Sequence, residues 1–243
     1  AYSPEVNVFE ITTMRKEGLY KDFRHPTEVG WTNKIEEDLA RRDFTINAIA
    51  ATVNPPNDGI QLTDPFQGQE DIKNKLIRAV GDPNKRFQED ALRLVRAVRI
   101  ATQLNFEIEE KTMQAIKENA HLIKEIANER VRDEFFKILS SGNPYSGITK
   151  LREVNLLQII LPELENCFGI VQEGPKHDRV YDIGEHSLLT LKYTPSTDPL
   201  VRFAALLHDI GKVNTVKTAP DGNVTFYNHD LVGGNLIIHL AKR

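Results

Sequence analysis

The sequence has little of the residue types that define several protein classes. Only one of its 243 residues is a cysteine, Cys167, so no disulfide can form within the chain and a reducing compartment is favoured. No segment approaches the ~18 consecutive apolar residues of a transmembrane helix. No basic start followed by an apolar run marks a signal peptide either. We therefore expect a soluble, cytoplasmic protein with no membrane partner.

The chain also lacks an excess of positive charge, because its formal net charge is -4. Phosphate contacts dominate the affinity of proteins for nucleic acids. Any RNA-binding surface on this chain must therefore be regional. One candidate region contains Lys85, Arg86, Arg93, Arg96 and Arg99.

The order of the predicted elements divides the chain into three parts and gives an α+β fold class. Residues 1–15 and 43–53 have strand-like patterns, 16–34 is polar and predicts a loop, and a helix is expected to start near Gln69. From Pro83, apolar residues recur at helical spacing and predict helices at 87–101, 111–119, 128–140 and 145–160. We expect an α+β head at 1–82, a helical neck and body at 83–168, and a further helical domain at 169–243.

The predicted helix at 87–101 places Asp90 and Arg93 three residues apart, which makes them neighbours on one face. A carboxylate only accepts hydrogen bonds and a guanidinium only donates them. Cytosine and adenine both present an amino donor beside a ring-nitrogen acceptor, whereas guanine and uracil carry a keto oxygen in place of the amino group. The pair could therefore select C and A without a nucleic-acid template. The alternative is an exposed ion pair, worth ~0.2–0.5 kcal/mol.

A second motif, R-R-D-F-T-I-N-A at 41–48, combines two arginines with an acid where a strand is predicted to begin. The planar guanidinium of Arg42 suits triphosphate oxygens, and Asp43 or Asn47 could hold ribose hydroxyls. The alternative is a helix C-terminus, because arginines in a last turn favour the negative end of the helix dipole. Glu10, on a predicted strand, could hold a divalent metal or be an ordinary exposed acid.

A third motif, H-D-I-G-K at 208–212, follows His186 and precedes His229. His186, His208, Asp209 and, less clearly, His229 could surround one divalent metal, since imidazole suits transition metals and carboxylate suits harder ions. Such a site can activate water for phosphoester cleavage. The alternative is a helix C-cap with Gly211 in the left-handed conformation, and both can hold at once.

The combination resembles the bacterial-type (class II) tRNA nucleotidyltransferase and poly(A) polymerase family. The similarity lies in the segment at 41–48, in D-P-F-x-G at 64–68, and in E-D-x-x-R-x-x-R-A-x-R at 89–99. The H-D-x-G-K segment further resembles the HD domain fused to CCA-adding members. The resemblance implies a palm-like nucleotidyltransferase head, a helical neck and body, and a truncated HD domain. It also implies addition of C and A to the 3′ end of tRNA from CTP and ATP, with Mg²⁺.

The resemblance also implies roles for individual residues. Asp90 and Arg93 would act as the protein template for the base. Other implied roles are nucleotide contact for Arg42, Arg96 and Arg99, sugar contact for Asp43 and Asn47, an accessory acid in Glu10, and a flexible loop that includes Arg15, Glu17, Asp22 and Arg24. Because relatives that add only CC tend to lack this loop, its presence argues against a CC-only enzyme.

The sequence departs from the family pattern in one respect, because it contains no D-x-D metal pair. Two-metal phosphoryl transfer needs such carboxylates. We therefore expect a fragment that does not add nucleotides by itself, from a parent protein that does. Two rival functions remain open: a metal-dependent phosphohydrolase with a degenerate nucleotide-binding head, and a related poly(A) polymerase.

Overall fold

The structure is a computed structural model that describes residues 12–18, 27–53, 59–172, 182–218, 220 and 224–242. It is an α+β protein in which short strands occur mainly near the N-terminus and helices dominate the rest, as the sequence predicted. Within these ranges, no helix has both the length and the hydropathy of a membrane span. Glu10, Asp22 and Arg24 lie outside the described residues.

The N-terminal part contains two antiparallel hairpins joined by a helix. Strands β1 (Arg15–Glu17) and β2 (Val29–Trp31) pair with each other, as do β3 (Ala50–Val53) and β4 (Ile60–Thr63). Helix α1 (Ile35–Ala40) and a 3-10 turn at Thr45–Asn47 lie between the hairpins. The prediction of one continuous loop at 16–34 is wrong at both of its ends, because backbone hydrogen bonds pair β1 with β2.

The junction with the helical part is built from α2 (Gly68–Lys73), β5 (Leu76–Ile77) and β6 (Glu107–Ile108), with β5 and β6 parallel. Both carboxylate oxygens of Asp64 accept hydrogen bonds from the first backbone amides of α2, those of Gly68 and Gln69. A side chain at Gly68 would collide with the carbonyl group of Thr45. The D-P-F-Q-G segment is thus a capped turn that fits tightly against the 3-10 turn.

The middle part consists of helices α3 (Pro83–Glu89), α4 (Leu92–Leu104), α5 (Glu110–Asn119), α6 (Asn128–Leu139), α7 (Pro144–Glu153), α8 (Leu157–Ile160) and α9 (Pro162–Glu165). Two predicted helices are broken. The helix at 87–101 is interrupted because Asp90 is extended, with φ -141° and ψ 104°. The helix at 145–160 is interrupted at Asn155, whose φ of 62° is left-handed.

The C-terminal part contains α10 (Ile183–Tyr193), α11 (Pro199–Leu207), α12 (Lys212–Thr215) and α13 (His229–Lys242), with a small hairpin of β7 (Lys217–Thr218) and β8 (Val224–Thr225). One hydrophobic core runs from Phe44 through α4, α6 and α7 to Leu206, Leu207 and Ile210 near the end of α11. The described parts therefore share a core, with α4 near its middle.

A close helix contact in this core allows a test of the packing. A methyl group at Gly147 in α7 would collide with the Ile138 side chain and lie 3.0 Å from Thr102 Oγ1. We expect Gly147→Ala to lower the free energy of unfolding by about 1–3 kcal/mol, as overpacking does. Urea denaturation measures this change. Gly142→Ala is the control, because nothing lies within 4 Å of its added methyl group; an equal effect at both positions would contradict the packing.

Candidate functional site

The first candidate site lies where the segment after α1 meets α4. Arg96 Nε and Nη2 both donate to Asp43 Oδ2, at 2.9 and 2.6 Å. Asn47 Nδ2 donates to Asp43 Oδ1 at 3.1 Å. Burial opposes ionisation of Asp43, but the charge and hydrogen bonds of Arg96 prevail and lower its pKa. Three predicted site residues, Asp43, Asn47 and Arg96, are therefore brought together.

Arg42 lies beside this group and keeps part of its guanidinium accessible. Its Nη1 donates to the Asn47 carbonyl and its Nη2 to Asp38 Oδ2, both at 3.3 Å. The Arg42 side chain is 42% exposed. Arg41 is the C-cap residue of α1, so the arginine pair does lie at a helix end. Because the guanidinium is held on one side and exposed on the other, Arg42 can still bind an anion.

Asp90 lies in the break between α3 and α4 and not on a helix face. Its Oδ1 accepts a hydrogen bond from the Leu92 amide at 3.1 Å. Its Oδ2 has a long contact of 3.5 Å with Arg130 Nη2 of α6. A carboxylate offers about four lone-pair positions, so Asp90 retains capacity to accept a hydrogen bond from a ligand.

Arg93 is turned into the protein, with a buried side chain. Its Nη1 donates to Glu89 Oε2 at 2.7 Å and to the Arg86 carbonyl at 3.0 Å, and its Nη2 donates to the Arg41 carbonyl at 3.0 Å. The alternative prediction, an exposed ion pair between Asp90 and Arg93, is therefore wrong. The prediction that the two residues are neighbours on one helix face is also wrong, because the helix is interrupted at Asp90, between α3 and α4.

The remaining predicted residues of this region lie at its edges. Arg99 forms an ion pair with Glu134 of α6 at 2.6 Å and donates to Gln103 at 3.0 Å. In β1, Glu17 Oε1 lies 3.1 Å from Arg15 Nε and 3.3 Å from Arg41 Nη1. Glu17 therefore contacts both Arg15 and Arg41, whereas Arg99 contacts α6.

The second candidate site joins three elements of the C-terminal part. His186 comes from α10, His208 and Asp209 follow α11, and His229 begins α13. His186 Nε2 lies 3.2 Å from His208 Nε2 and 3.5 Å from Asp209 Oδ2. His208 Nε2 lies 3.1 Å from Asp209 Oδ2, and His229 Nε2 lies 3.6 Å from Asp209 Oδ1.

The chemistry of this donor set fits a divalent metal. Ligand atoms of His186, His208 and Asp209 all lie within 4.8 Å of one another. The Nδ1 atoms of His208 and His229 each contact a backbone carbonyl at 2.8 Å, those of Ala205 and Phe226. When Nδ1–H donates to a carbonyl, the neutral ring presents an unprotonated Nε2 to a metal. The side chains of His208 and His229 are only partly buried, so a ligand could reach them.

The electrostatics of the cluster are dominated by Asp209. Burial opposes its ionisation, but hydrogen bonds from His208 and Lys212 hold its pKa well below the usual range. The hydrogen bond with Asp209 raises the pKa of His208. Burial and then the proximity of His208 lower the pKa of His186. The group therefore combines a charged carboxylate with one imidazole that favours its neutral form.

Gly211 explains how α13 reaches this cluster. Its φ of -69° is right-handed, so the predicted left-handed C-cap at this position is wrong. A side chain at Gly211 would instead collide with the carbonyl oxygen of His229 and the backbone of Gly233. The glycine is needed for close approach of the two backbones, and that approach places His229 beside Asp209.

The sequence interpretation missed two residues that contact the first candidate site, Asp38 and Arg130. Asp38 precedes Arg41 and Arg42 by three and four residues, a spacing that brings side chains together at a helix end. That signal was available in the sequence. Arg130 is 40 residues from Asp90, and no local pattern links residues at such a separation.

The chain matches two protein-family models. "Poly A polymerase head domain" matches residues 2–78, and "Probable RNA and SrmB- binding site of polymerase A" matches residues 105–168. A CCA-adding enzyme of Lactobacillus helveticus is 55% identical over 130 residues, which are 54% of this chain and 31% of that relative. The chain belongs to the tRNA nucleotidyltransferase and poly(A) polymerase family.

Two further family members extend the comparison. An A-adding tRNA nucleotidyltransferase of Deinococcus radiodurans is 41% identical over 218 residues, covering 86% of this chain and 48% of the relative. The crystal structure of the Bacillus stearothermophilus CCA-adding enzyme in complex with CTP has a TM-score of 0.57 and 27% identity, covering 96% of this chain and 51% of that one. The chain thus spans about a third to a half of the curated family members it matches.

The buried carboxylate at the first site gives a pH-dependent test. Asp43→Asn removes the charge that pairs with Arg96. Hydrogen bonds to charged groups contribute roughly 1.5–3 kcal/mol, and a third of the Arg96 side chain is exposed, which weakens the pair. We expect a loss of about 1–2 kcal/mol in the free energy of unfolding at pH 7.

The sign of the pH dependence follows from the lowered pKa of Asp43. Its stabilisation is present above the unfolded-state value of about 3.9 and is lost as the pH falls through the folded-state pKa. Urea unfolding from pH 7 to 3 should show the difference between wild type and Asp43→Asn shrinking in acid. Asp133→Asn is an exposed control. A difference that is constant or grows in acid would contradict the pairing.

Proposed function

We propose that the full-length protein is a template-independent tRNA nucleotidyltransferase that adds C and A to the 3′ end of tRNA from CTP and ATP. The observation that carries this proposal is the junction at which Arg42, Asp43 and Asn47 meet α4. The names of the relatives, CCA-adding enzyme and A-adding tRNA nucleotidyltransferase, support the reaction. An enzyme that acts on tRNA would work in the cytoplasm, consistent with the single cysteine.

The described residues support a division of labour within this site. Arg42, with its exposed guanidinium, would bind the triphosphate, and Arg96 and Arg99 would add positive charge along α4. Asn47 would contact the sugar beside Asp43. Asp90 would accept a hydrogen bond from the amino group of cytosine or adenine and repel the keto oxygen of uracil or guanine. Arg93 would donate to the ring nitrogen after a change of partners, since its present contacts are internal.

The same proposal divides the chain into a head at 1–82, a neck and body at 83–168 and an HD domain at 169–243. Mg²⁺ would serve the transfer step in the full-length enzyme. The carboxylates nearest to Arg42 do not fit a Mg²⁺ site in the described residues, because guanidinium groups hold both Asp38 and Asp43. We therefore assign no step of the reaction to a metal held by this part of the chain.

Base selection is tested in the full-length protein. Asp90→Ala removes the acceptor for the amino group, and Arg93→Ala removes the donor to the ring nitrogen. We expect each variant to lose at least ~5-fold of its preference for CTP and ATP over UTP and GTP, since one good pair of base contacts is worth ~1–3 kcal/mol. Competition among the four nucleotides on a tRNA without CCA measures the preference.

Asp133→Ala, an exposed acid on α6, is the matched control and should keep the wild-type preference. If Asp90→Ala and Arg93→Ala also kept it, the protein-template role would be wrong. The same assay on tRNA ending in CC distinguishes full CCA addition from addition of A alone. A long run of A would identify a poly(A) polymerase.

A second function is favoured by the histidine cluster. We propose that His186, His208, Asp209 and His229 hold a divalent transition metal in an HD-type phosphohydrolase site. The metal would supply an activated water at neutral pH. Asp209 would be the negatively charged ligand of the metal. The contacts of His208 and His229 with backbone carbonyls orient those two rings.

Metal binding tests this second function apart from turnover. His208→Ala and Asp209→Asn should each weaken Mn²⁺ affinity, measured by calorimetry, at least ~10-fold, the lower limit seen even for outer-shell partners of metal ligands. Phosphatase activity should fall while nucleotide addition by the full-length protein is retained. His121→Ala, an exposed histidine outside the cluster, serves as the control. Unchanged Mn²⁺ binding in both cluster variants would exclude the metal site.

A further inference from the structure

Asp38 is a buried carboxylate to which the proposed nucleotide transfer assigns no role. It lies in the last turn of α1 and is 4% exposed. It accepts four hydrogen bonds from three residues. Arg41 Nε and Nη2 donate to Oδ1 at 2.9 and 2.7 Å, the Arg15 backbone amide donates to Oδ1 at 3.2 Å, and Arg42 Nη2 donates to Oδ2 at 3.3 Å.

One side of this carboxylate holds the β1–β2 hairpin. The Arg15 amide belongs to β1, so its bond to Asp38 attaches the strand directly to α1. The same strand is attached a second time through Glu17, whose Oε1 lies 3.3 Å from Arg41 Nη1. Arg41 thus links the Asp38 and Glu17 carboxylates, and both side chains are less than one tenth exposed.

The other side of the carboxylate holds Arg42. A free arginine side chain loses rotamer entropy when it binds a phosphate. Two contacts at 3.3 Å, with Asp38 Oδ2 and the Asn47 carbonyl, already restrict the Arg42 guanidinium while leaving it partly exposed. Arg41 also accepts, through its carbonyl, the hydrogen bond of Arg93 Nη2. The segment is therefore fixed to α4 as well.

The charge on Asp38 is maintained at neutral pH. Burial opposes its ionisation, but the hydrogen bonds from Arg41 and the Arg15 amide lower its pKa. If Asp38 served only to neutralise the charge of Arg41, it would not need to contact Arg42. Its second oxygen, Oδ2, nevertheless accepts a hydrogen bond from Arg42, the residue that would bind the triphosphate. One carboxylate therefore couples the hairpin to the nucleotide-binding side chain.

We propose that Asp38 is a positioning residue that orients Arg42 toward the nucleotide phosphates and fastens the β1–β2 hairpin to the same site. This inference rests on the proposed nucleotidyltransferase function. Asp38 touches no reacting atom. Its effect is to restrict Arg42 before the nucleotide binds, which lowers the entropic cost of binding.

The test uses Asp38→Asn in the full-length protein. The variant keeps the size of the side chain but removes the charge and one acceptor. We expect KM for both CTP and ATP to rise roughly tenfold with kcat less affected, because loss of binding shared by ground and transition states appears in KM. Hydrogen exchange at residues 14–18 and 28–32 should become faster.

Three further variants make the result specific. Glu36→Gln, on the exposed side of α1, should change neither KM nor exchange. Arg42→Ala should raise KM, and adding Asp38→Asn to it should raise KM little further, because both changes remove the same interaction. If Asp38→Asn does not fold, Asp38→Glu carries the test, since it keeps the charge, displaces it by one methylene and should also raise KM.

The outcomes separate the inference from the function on which it rests. If the wild-type full-length protein adds neither C nor A, the proposed function fails. If it adds them and the Asp38 variants leave KM unchanged or lower it, the positioning role is wrong. Strictly additive effects of Asp38→Asn and Arg42→Ala would likewise contradict the coupling.

Discussion

The ion pair between Asp43 and Arg96 is the contact on which the first site depends. Asp43 follows the arginine pair directly, and its backbone carbonyl accepts a hydrogen bond from Val80. Arg96 lies in the middle of α4, the helix around which the core is packed. The pair therefore ties the head, which carries Arg42 and Asn47, to the helix that begins beside Asp90. Breaking it would leave a buried charge without its partner, and such a loss costs more than a surface ion pair.

Much of the fold could be predicted from the sequence. Helices α5 and α6 were anticipated to within a residue or two at each end because their apolar residues recur at helical spacing. The break at Asp90 could not be predicted in this way. None of Glu89, Asp90 and Ala91 is a residue type that forbids a helix. In the structure Asp90 accepts a hydrogen bond from the Leu92 amide at the start of α4 and contacts Arg130 of α6, 40 residues away. The apolar spacing contains no information about either contact.

For the candidate sites too, the sequence indicated which residues matter but not which residues they contact. The residue types and their order indicated which side chains matter, because acids, arginines and histidines at those spacings have few structural reasons to recur together. The partners of these side chains could not be predicted from the sequence. Arg93 and Asp90 were expected to face one ligand together, yet Arg93 binds backbone carbonyls from two other segments. The role of Gly211 was likewise hidden, since the approach of α13 depends on residues about 20 positions later.

The two candidate sites are supported by the same hydrophobic core. Leu206, Leu207 and Ile210, which flank His208 and Asp209, belong to the same core as Val95 and Val98 of α4. Arg202 of α11 donates to the carbonyls of Leu139 and Ser141 at the end of α6, at 2.6 and 2.8 Å. The histidine cluster is thus built onto the helices that carry the first candidate site, although the two sites have no residue in common.

The most direct test of the central claim is the sequence of the product. The full-length protein would be given a tRNA that lacks its 3′ CCA, together with all four nucleoside triphosphates, and the added nucleotides would be sequenced. We expect that only C and A are added and that the tail stops at or before CCA. Incorporation of U or G at comparable frequency, or no addition at all, would contradict it.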